Sequence, residues 1–150
     1  HKRHYLSKRP IRFRLRNSVI YVARDCIDHR QQAASQLSNI VPVHFAHCKP
    51  TDGNESSSNV RRIPESNQFA NRDARDHWWY NYKLYSRYKY CLCMENSNQP
   101  GYISEKLLMA FLGGCLPIYW GTEEVLEVFN PEAFIFYDIE NPQSALNRVR

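Results

Sequence analysis

The feature of this sequence that most restricts its fold is a regular alternation between short apolar runs and amphipathic stretches. Val19–Ala23 is a continuous apolar run, as is typical of a strand buried on both faces of a sheet. Ala33, Ala34 and Leu37 follow it at helical spacing. The same alternation continues to the last residues, and it predicts an α/β fold with a parallel sheet covered by helices.

The later elements can be placed from the same patterns. Strands are predicted around Val41–Phe45, Tyr88–Met94, Cys115–Trp120 and Phe134–Tyr137, and helices at about 74–87, 103–112 and after Asn141-Pro142. Gly113-Gly114 should end the helix at 103–112, because glycine commonly closes helices in the left-handed conformation. We expect Val19–Ala23, Tyr88–Met94 and Cys115–Trp120 to lie next to one another, in parallel, near the centre of the sheet.

The length of 150 residues suits one compact domain, and a hydrophobic fraction of 43% is enough for a real core. Much of the net charge of +5 lies in residues 1–16, which we interpret as a basic linker from a preceding domain missing here. The alternative is a patch for an anionic partner. Residues 17–150 would then form the folded domain, with a polar loop at about 49–75.

The cysteines indicate core packing and one candidate bridge. Cys91 and Cys93 lie two residues apart on a predicted strand, so both side chains should point into the core on one face. Cys26 and Cys48 follow neighbouring strands and could meet. Asn54 begins an N-glycosylation triplet, which gives weak support for a lumenal compartment. The sequence contains neither a membrane-spanning apolar run nor a signal peptide.

Two segments are candidates for a binding site, because ligands of open parallel sheets bind at the carboxyl ends of the strands. They are the links Arg24–Arg30 and Glu95–Lys106, and each carries a cation near the first turn of a predicted helix: Arg30 in one, Lys106 in the other. A cation there opposes the helix dipole and adds no stability of its own, unless an anion such as a diphosphate is bound. The alternative is that both side chains simply reach water.

The segment Glu95–Gly101 is rich in amides and carboxylates at the mouth of a strand. Such groups could bind the hydroxyls of a sugar, although a polar turn explains the same composition. The sequence has no phosphate-binding loop of the G-x-x-x-x-G-K-[ST] type and no G-x-G-x-x-G fingerprint. These absences argue against P-loop hydrolysis and against typical dinucleotide binding.

The stretch Tyr88–Ser97, followed by Gly101–Lys106 (Gly-Tyr-Ile-Ser-Glu-Lys), closely resembles the α-1,3-fucosyltransferase family, glycosyltransferase family 10. That family carries a "YKF…ENS…YITEK" stretch, an apolar helix and a "P-I/V" strand, which here continues through Pro117–Gly121. Phe129–Asp138 resembles a further family segment. Two departures are Ser104, where threonine is commoner, and Met94, where phenylalanine is usual.

The resemblance implies the C-terminal half of a GT-B glycosyltransferase, a Rossmann-like domain that binds GDP-fucose. The implied reaction is an inverting transfer of fucose from GDP-β-L-fucose to a glycan hydroxyl in α-1,3 linkage. Arg30 and Lys106 resemble the pair that contacts the diphosphate and stabilises the leaving group. The residues that resemble donor-substrate-binding positions are Glu95, Asn96, Tyr102 and Glu105.

The resemblance also implies that neither a metal nor another cofactor is needed. The general base would lie in an N-terminal domain outside this chain, so the chain alone should bind donor without turning it over. The partners would be GDP-fucose and a glycan or glycoprotein acceptor. Eukaryotic members lie on the lumenal side of the Golgi, anchored in the membrane by a segment that would lie outside this chain. A bacterial member would be cytoplasmic.

Three alternatives remain at the level of sequence. The chain could use another nucleotide sugar, or it could be a catalytically inactive relative that keeps the fold. It could also be a nucleic-acid-binding module, given its basic run and the Trp78-Trp79-Tyr80 cluster. Contiguous aromatic residues on a helix point in different directions, however, so they cannot form one stacking platform. We therefore expect no nucleic-acid partner.

Overall fold

Six parallel strands form the centre of the protein, in a computed structural model that describes residues 16–50, 59–63 and 81–149. The strands are β1 (Arg16–Ala23), β2 (Val43–His47), β3 (Val60–Arg62), β4 (Tyr88–Met94), β5 (Leu116–Trp120) and β6 (Ile135–Phe136). Their order across the sheet is β3-β2-β1-β4-β5-β6, and every neighbouring pair is parallel. The predicted α/β class and parallel sheet are confirmed.

Strand β1 lies between β2 and β4, and β4 in turn pairs with β5. Val19 is aligned with Val43 of β2 on one side and with Tyr90 of β4 on the other. The predicted adjacency of the three central strands is therefore correct. Their apolar runs are continuous because the central strands are covered on both faces, so residues of both parities are buried.

The helices divide between the two faces of the sheet. They are α1 (Asp28–Ser38), α2 (Asn81–Tyr85), α3 (Lys106–Gly113), α4 (Val125–Val128) and α5 (Gln143–Arg148), with a single 3₁₀ turn at Pro131–Ala133. Helices α1 and α5 contribute to the core on one face, together with alternate strand residues such as Tyr21 and Met94. Helices α2 and α3 contribute to the core on the other face, with Cys91 and Tyr119.

This arrangement creates a switch point between β1 and β4. The chain leaves β1 through α1 and goes to β2 on one side of the sheet, whereas it leaves β4 through α3 and goes to β5 on the other. The first turns of α1 and α3 therefore diverge at the carboxyl ends of two neighbouring strands. In open α/β sheets, a crevice at this position is where ligands bind.

The described part of the chain differs from the sequence predictions in three details. Val60–Arg62 form a short strand within the segment 49–75 that was predicted to be a loop, and this strand pairs with β2. The helix predicted at 103–112 begins at Lys106 and runs to Gly113. The helix predicted at 74–87 ends at Tyr85, and the part of it before residue 81 lies outside the described residues.

Several predicted features lie outside the described residues. These are residues 1–15 of the basic segment, the Asn54 triplet and the Trp78-Trp79-Tyr80 cluster.

The candidate bridge between Cys26 and Cys48 is confirmed, since the two form a disulfide that joins the link after β1 to the end of β2. Cys91 and Cys93 are buried free thiols, as predicted. No helix within the described ranges is long and apolar enough to cross a membrane.

Gly113 allows α2 and α3 to approach closely. A Cβ atom at this position would lie 2.7 Å from the Tyr82 carbonyl oxygen and 2.9 Å from Tyr85 Cβ. We expect Gly113→Ala to lower the free energy of unfolding by about 1–3 kcal/mol, because overpacking against backbone outweighs the better helix propensity of alanine. Chemical denaturation measures the change. The control is Leu112→Ala on the exposed side of α3, and equal stability of both variants would contradict the prediction.

Candidate functional site

The carboxyl ends of β1 and β4 bring both predicted site segments to one edge of the sheet. Arg30 lies in the first turn of α1, and Lys106 is the first residue of α3. Both side chains contact the same short segment, Met94–Asn96, which follows β4. The two cations reach this segment from opposite faces of the sheet, so the structure brings the predicted pair to a common edge.

Arg30 is held by a fork of hydrogen bonds. Its Nε and Nη2 atoms donate to the Met94 carbonyl oxygen at 3.1 and 2.9 Å. Nη2 also donates to Oδ1 of Asn96. The side chain is only 5% exposed, and Nη1 makes no hydrogen bond within the described residues. No buried side-chain nitrogen within the described residues is left without a partner, so Nη1 is not a fully buried unsatisfied donor.

Asn96 has an exposed side chain, and Arg30 fixes its orientation. Since Oδ1 accepts a hydrogen bond from the guanidinium, the amide nitrogen of Asn96 is left as a donor. This donor belongs to the same segment as the two cations. Asn96 is thus suited to binding an acceptor oxygen of a ligand.

Glu95 lies deeper than its predicted role suggested. Its side chain is fully buried, at 0% exposure, and its carboxylate is surrounded by donors. Oε1 accepts from the backbone nitrogen and hydroxyl of Ser104, both at 2.9 Å, and from the Tyr119 hydroxyl at 3.2 Å. Oε2 accepts from Lys106 Nζ at 3.4 Å. The carboxylate of Glu95 thus binds Ser104, Tyr119 and Lys106, and its donor-binding role stays a prediction.

Lys106 combines a buried partner with an accessible ammonium group. Nζ donates to Glu95 Oε2 and to Ser104 Oγ at 3.1 Å, while 26% of the side chain remains exposed. The sequence predicted that Lys106 adds no stability of its own. Its ion pair with the buried carboxylate of Glu95 argues against that prediction. Removing one partner of such a pair leaves a charge without its counter-ion. Lys106 therefore has a structural role beside any role in binding.

Tyr102 and Glu105 lie beside Lys106 in the chain, at the start of α3. Tyr102 is 38% exposed, and Glu105 is half-buried at the N-cap position of the helix. Neither side chain makes a hydrogen bond within the described residues. The backbone before Tyr102 is fixed, because the Gly101 nitrogen donates to Glu124 Oε2 at 2.8 Å. Both side chains thus remain available at the rim of the crevice.

His29 was not predicted, and it contacts the same segment as the two cations. Its Nε2 atom is 3.0 Å from the Glu95 carbonyl oxygen, and its ring is 4.2 Å from the Trp120 ring. A carbonyl oxygen only accepts, so Nε2 carries the proton. Desolvation lowers the pKa of His29 and Arg30 lowers it further, while the bond to the Glu95 carbonyl and the nearby Asp28 oppose the decrease; the net effect favours the neutral ring. No sequence motif pointed to this histidine, since its partners come from distant strands.

Gly121 lets the chain pass close to the buried carboxylate. A Cβ atom here would lie 2.5 Å from the Tyr119 hydroxyl and 2.8 Å from Glu95 Cγ. Burial raises the pKa of Tyr119, and the nearby Glu95 raises it further, so the phenol stays protonated and donates. Gly121 therefore leaves room for the Glu95 side chain, and the Tyr119 hydroxyl donates a hydrogen bond to its carboxylate. Sequence reasoning placed these residues on a strand and a turn but did not connect them to the site.

The site as a whole brings two cations and an amide to one edge of the sheet. It offers the Nη1 atom of Arg30, the ammonium of Lys106 and the amide of Asn96 around one backbone segment. Two cations from separate helices suit an extended anion with charge on more than one group, such as a diphosphate. Within the ranges that the structure describes, no group of three or more His, Cys, Asp or Glu residues could hold a metal ion.

Comparison with known proteins finds similarity to fucosyltransferases. Residues 16–148 match the family model described as glycosyltransferase family 10 (fucosyltransferase) C-term. The chain is 38% identical over 66 residues to the α-(1,3)-fucosyltransferase FucT of Helicobacter pylori, covering 43% of the chain and 14% of that protein. It is 31% identical over 120 residues to the α-(1,4)-fucosyltransferase of Arabidopsis thaliana, covering 78% of the chain and 29% of that protein.

A solved α1,3-fucosyltransferase structure superposes with a TM-score of 0.61 at 25% identity, covering 95% of this chain and 34% of that one. A second, an α1,3-fucosyltransferase with GDP-fucose, also gives 0.61, at 23% identity over 95% of this chain and 36% of that one. The chain thus spans about a third of these structures, and less of the two curated relatives.

Proposed function

The chain belongs to glycosyltransferase family 10, the fucosyltransferase family, and on this basis we propose that it forms the donor-binding half of a GDP-fucose-dependent fucosyltransferase. The family model covers residues 16–148 and describes the C-terminal region of such enzymes. One of the solved structures with the same fold is a complex with GDP-fucose. The donor proposed for this chain is therefore GDP-fucose.

The observation that carries the proposal is the meeting of Arg30 and Lys106 at the segment Met94–Asn96. Breaking the bond between fucose and phosphate builds negative charge on the β-phosphate of GDP. Fixed cations and hydrogen-bond donors at that position stabilise the charge without reorganising during the reaction. Arg30 is pre-positioned by its fork on Met94, and Lys106 by its bonds to Glu95 and Ser104.

In this mechanism the chain supplies the leaving-group side of the reaction. The acceptor hydroxyl attacks the anomeric carbon of fucose from the face opposite GDP, which inverts the configuration. The acceptor's proton goes to a general base that we assign to a domain outside this chain. Asn96, Tyr102 and Glu105 are proposed to bind the donor, since their side chains are accessible at the same edge. No metal or other cofactor is proposed, because the two cations can serve the leaving group.

The proposed acceptor is a glycan or glycoprotein, and the proposed linkage is α-1,3. The H. pylori relative carries this linkage in its name, whereas the Arabidopsis relative is named for α-1,4 transfer. A further relative, from Gallus gallus, is a GDP-fucose protein O-fucosyltransferase, 26% identical over 88% of this chain. The three names share fucose as the transferred group; the first two differ in the linkage, and the third names a protein as the acceptor.

For a eukaryotic protein we propose the lumenal side of the Golgi, with membrane anchoring by a segment outside this chain. The Cys26–Cys48 disulfide supports this location, because such bonds persist in oxidising compartments. A bacterial, cytoplasmic protein is the alternative.

The first test is ligand-dependent stability of this chain. We expect GDP and GDP-fucose to raise the melting temperature, and ATP and single-stranded RNA to leave it unchanged, because only a ligand that binds the folded state stabilises it. At about 100 times the dissociation constant, GDP should add about 2.7 kcal/mol. A shift with ATP or RNA but none with GDP would overturn the proposal, and a shift with UDP instead would favour another nucleotide sugar.

A further inference from the structure

The geometry points to Glu95 as a positioning residue that orients the Lys106 ammonium toward the phosphate it serves, and not as a residue that touches the donor. The inference deepens the proposed function and rests on it. It starts from the contrast between a fully buried carboxylate and a partly exposed cation joined by an ion pair of 3.4 Å.

The hydrogen bonds around Lys106 can be assigned proton by proton. The Ser104 hydroxyl donates to Glu95 Oε1 at 2.9 Å, so its oxygen is left as an acceptor. Lys106 Nζ donates one proton to that oxygen at 3.1 Å and a second to Glu95 Oε2. An ammonium group has three protons. With two protons held by Glu95 and Ser104, tetrahedral geometry fixes the direction of the third, which is left for a ligand.

The Glu95 carboxylate can hold the Lys106 side chain in one orientation because hydrogen bonds fix its own position. Three donors bind Oε1: the Ser104 nitrogen, the Ser104 hydroxyl and the Tyr119 hydroxyl. The space beside Glu95 Cγ and the Tyr119 hydroxyl is so small that only glycine fits at 121. A flexible lysine loses rotamer entropy when it binds an anion. Holding the side chain in place before binding reduces that loss, as does any preorganisation of a binding site.

The test measures the ratio of GDP affinity to GMP affinity by calorimetry on the folded chain. GMP lacks the second phosphate, so the ratio reports contacts to the diphosphate and is insensitive to general loosening. We expect Glu95→Gln to lower the ratio by about tenfold, the loss typical of one charge-assisted hydrogen bond. In a Lys106→Ala background, the same substitution should leave the ratio unchanged, because Glu95 would act only through Lys106.

Three further variants separate positioning from stability. Tyr119→Phe removes one donor from Oε1 and leaves the Lys106 contact in place, so it should lower the melting temperature while the ratio stays within about twofold. Ser104→Ala removes the bridging hydroxyl and should lower the ratio, whereas Ser104→Thr keeps the hydroxyl and should preserve it. This serine pair also serves if Glu95→Gln does not fold.

The possible failures point to different proposals. If the original chain binds GDP no better than GMP, the proposed diphosphate site is wrong. If the chain discriminates the two ligands but Glu95→Gln and Ser104→Ala leave the ratio intact, the positioning role is wrong and the donor site stands. If Glu95→Gln lowers the ratio of GDP affinity to GMP affinity equally in the original chain and in the Lys106→Ala variant, Glu95 acts independently of the lysine. That result also overturns the inference.

Discussion

Replacing Lys106 by alanine is expected to reduce fucose transfer by about 100-fold or more, measured as kcat in the protein that carries this chain. The ammonium is proposed to stabilise charge that develops on the leaving phosphate. Its contribution is therefore larger in the transition state than in the bound donor. Loss of an interaction of this kind lowers kcat more strongly than it raises KM. Weaker GDP binding should accompany the slower transfer.

The same substitution should also lower the free energy of unfolding, by about 1–3 kcal/mol, because Glu95 stays buried without its counter-ion. Rates are therefore to be compared well below the melting temperature of the variant. Lys89→Ala is the matched control, since Lys89 is an exposed lysine near the amino end of β4. We expect it to keep the original transfer rate. A Lys106→Ala enzyme with normal kcat would show that Lys106 is structural only.

Replacing Arg30 by lysine keeps the charge and should still reduce kcat by about 100-fold. A single ammonium cannot reproduce the fork of Nε and Nη2 on the Met94 carbonyl while also reaching Asn96 and the ligand. The free energy of unfolding should fall by about 1–3 kcal/mol, because buried partners lose their donors. Transfer assays and chemical denaturation of the same preparation measure the two effects.

Arg61→Lys is the control for the loss of a guanidinium, because Arg61 is exposed on the edge strand β3 and far from the carboxyl ends of β1 and β4 in the sheet order. Both kcat and stability should stay near the original values. If Arg30→Lys behaves like this control, charge alone is sufficient at position 30. The fork would then have no catalytic significance.

Most of the fold could be predicted from sequence because the central strands carry continuous apolar runs. Val19–Ala23 and Tyr90–Met94 have no polar interruption inside them, and strands of this kind occur in parallel sheets covered on both faces. Strand β3 was missed because Val60–Arg62 has one apolar residue and two arginines. An edge strand buries little surface, so its sequence resembles that of a loop.

The candidate site was predictable where it depends on position along the chain. Cations placed near the first turns after β1 and β4 were expected to meet, and both Arg30 and Lys106 reach the segment after β4. The contacts among His29, Trp120 and Glu95 were not predictable, because they join residues from three separate parts of the chain. Sequence patterns also could not distinguish the fully buried side chain of Glu95 from the accessible polar side chain of Asn96, which directly follows it.

The attachment of both cations to one segment bears on how such a domain can diverge in evolution. Arg30 is carried by α1, which packs in one layer of the core, and Lys106 by α3, which packs in the other; both side chains nevertheless bind the segment Met94–Asn96. Either layer can therefore accumulate substitutions and small helix shifts without changing the spacing of the charges, provided that this segment keeps its shape. Selection would then act on a few residues around the segment, while most of the core drifts. A shared fold at 25% identity is compatible with such a history.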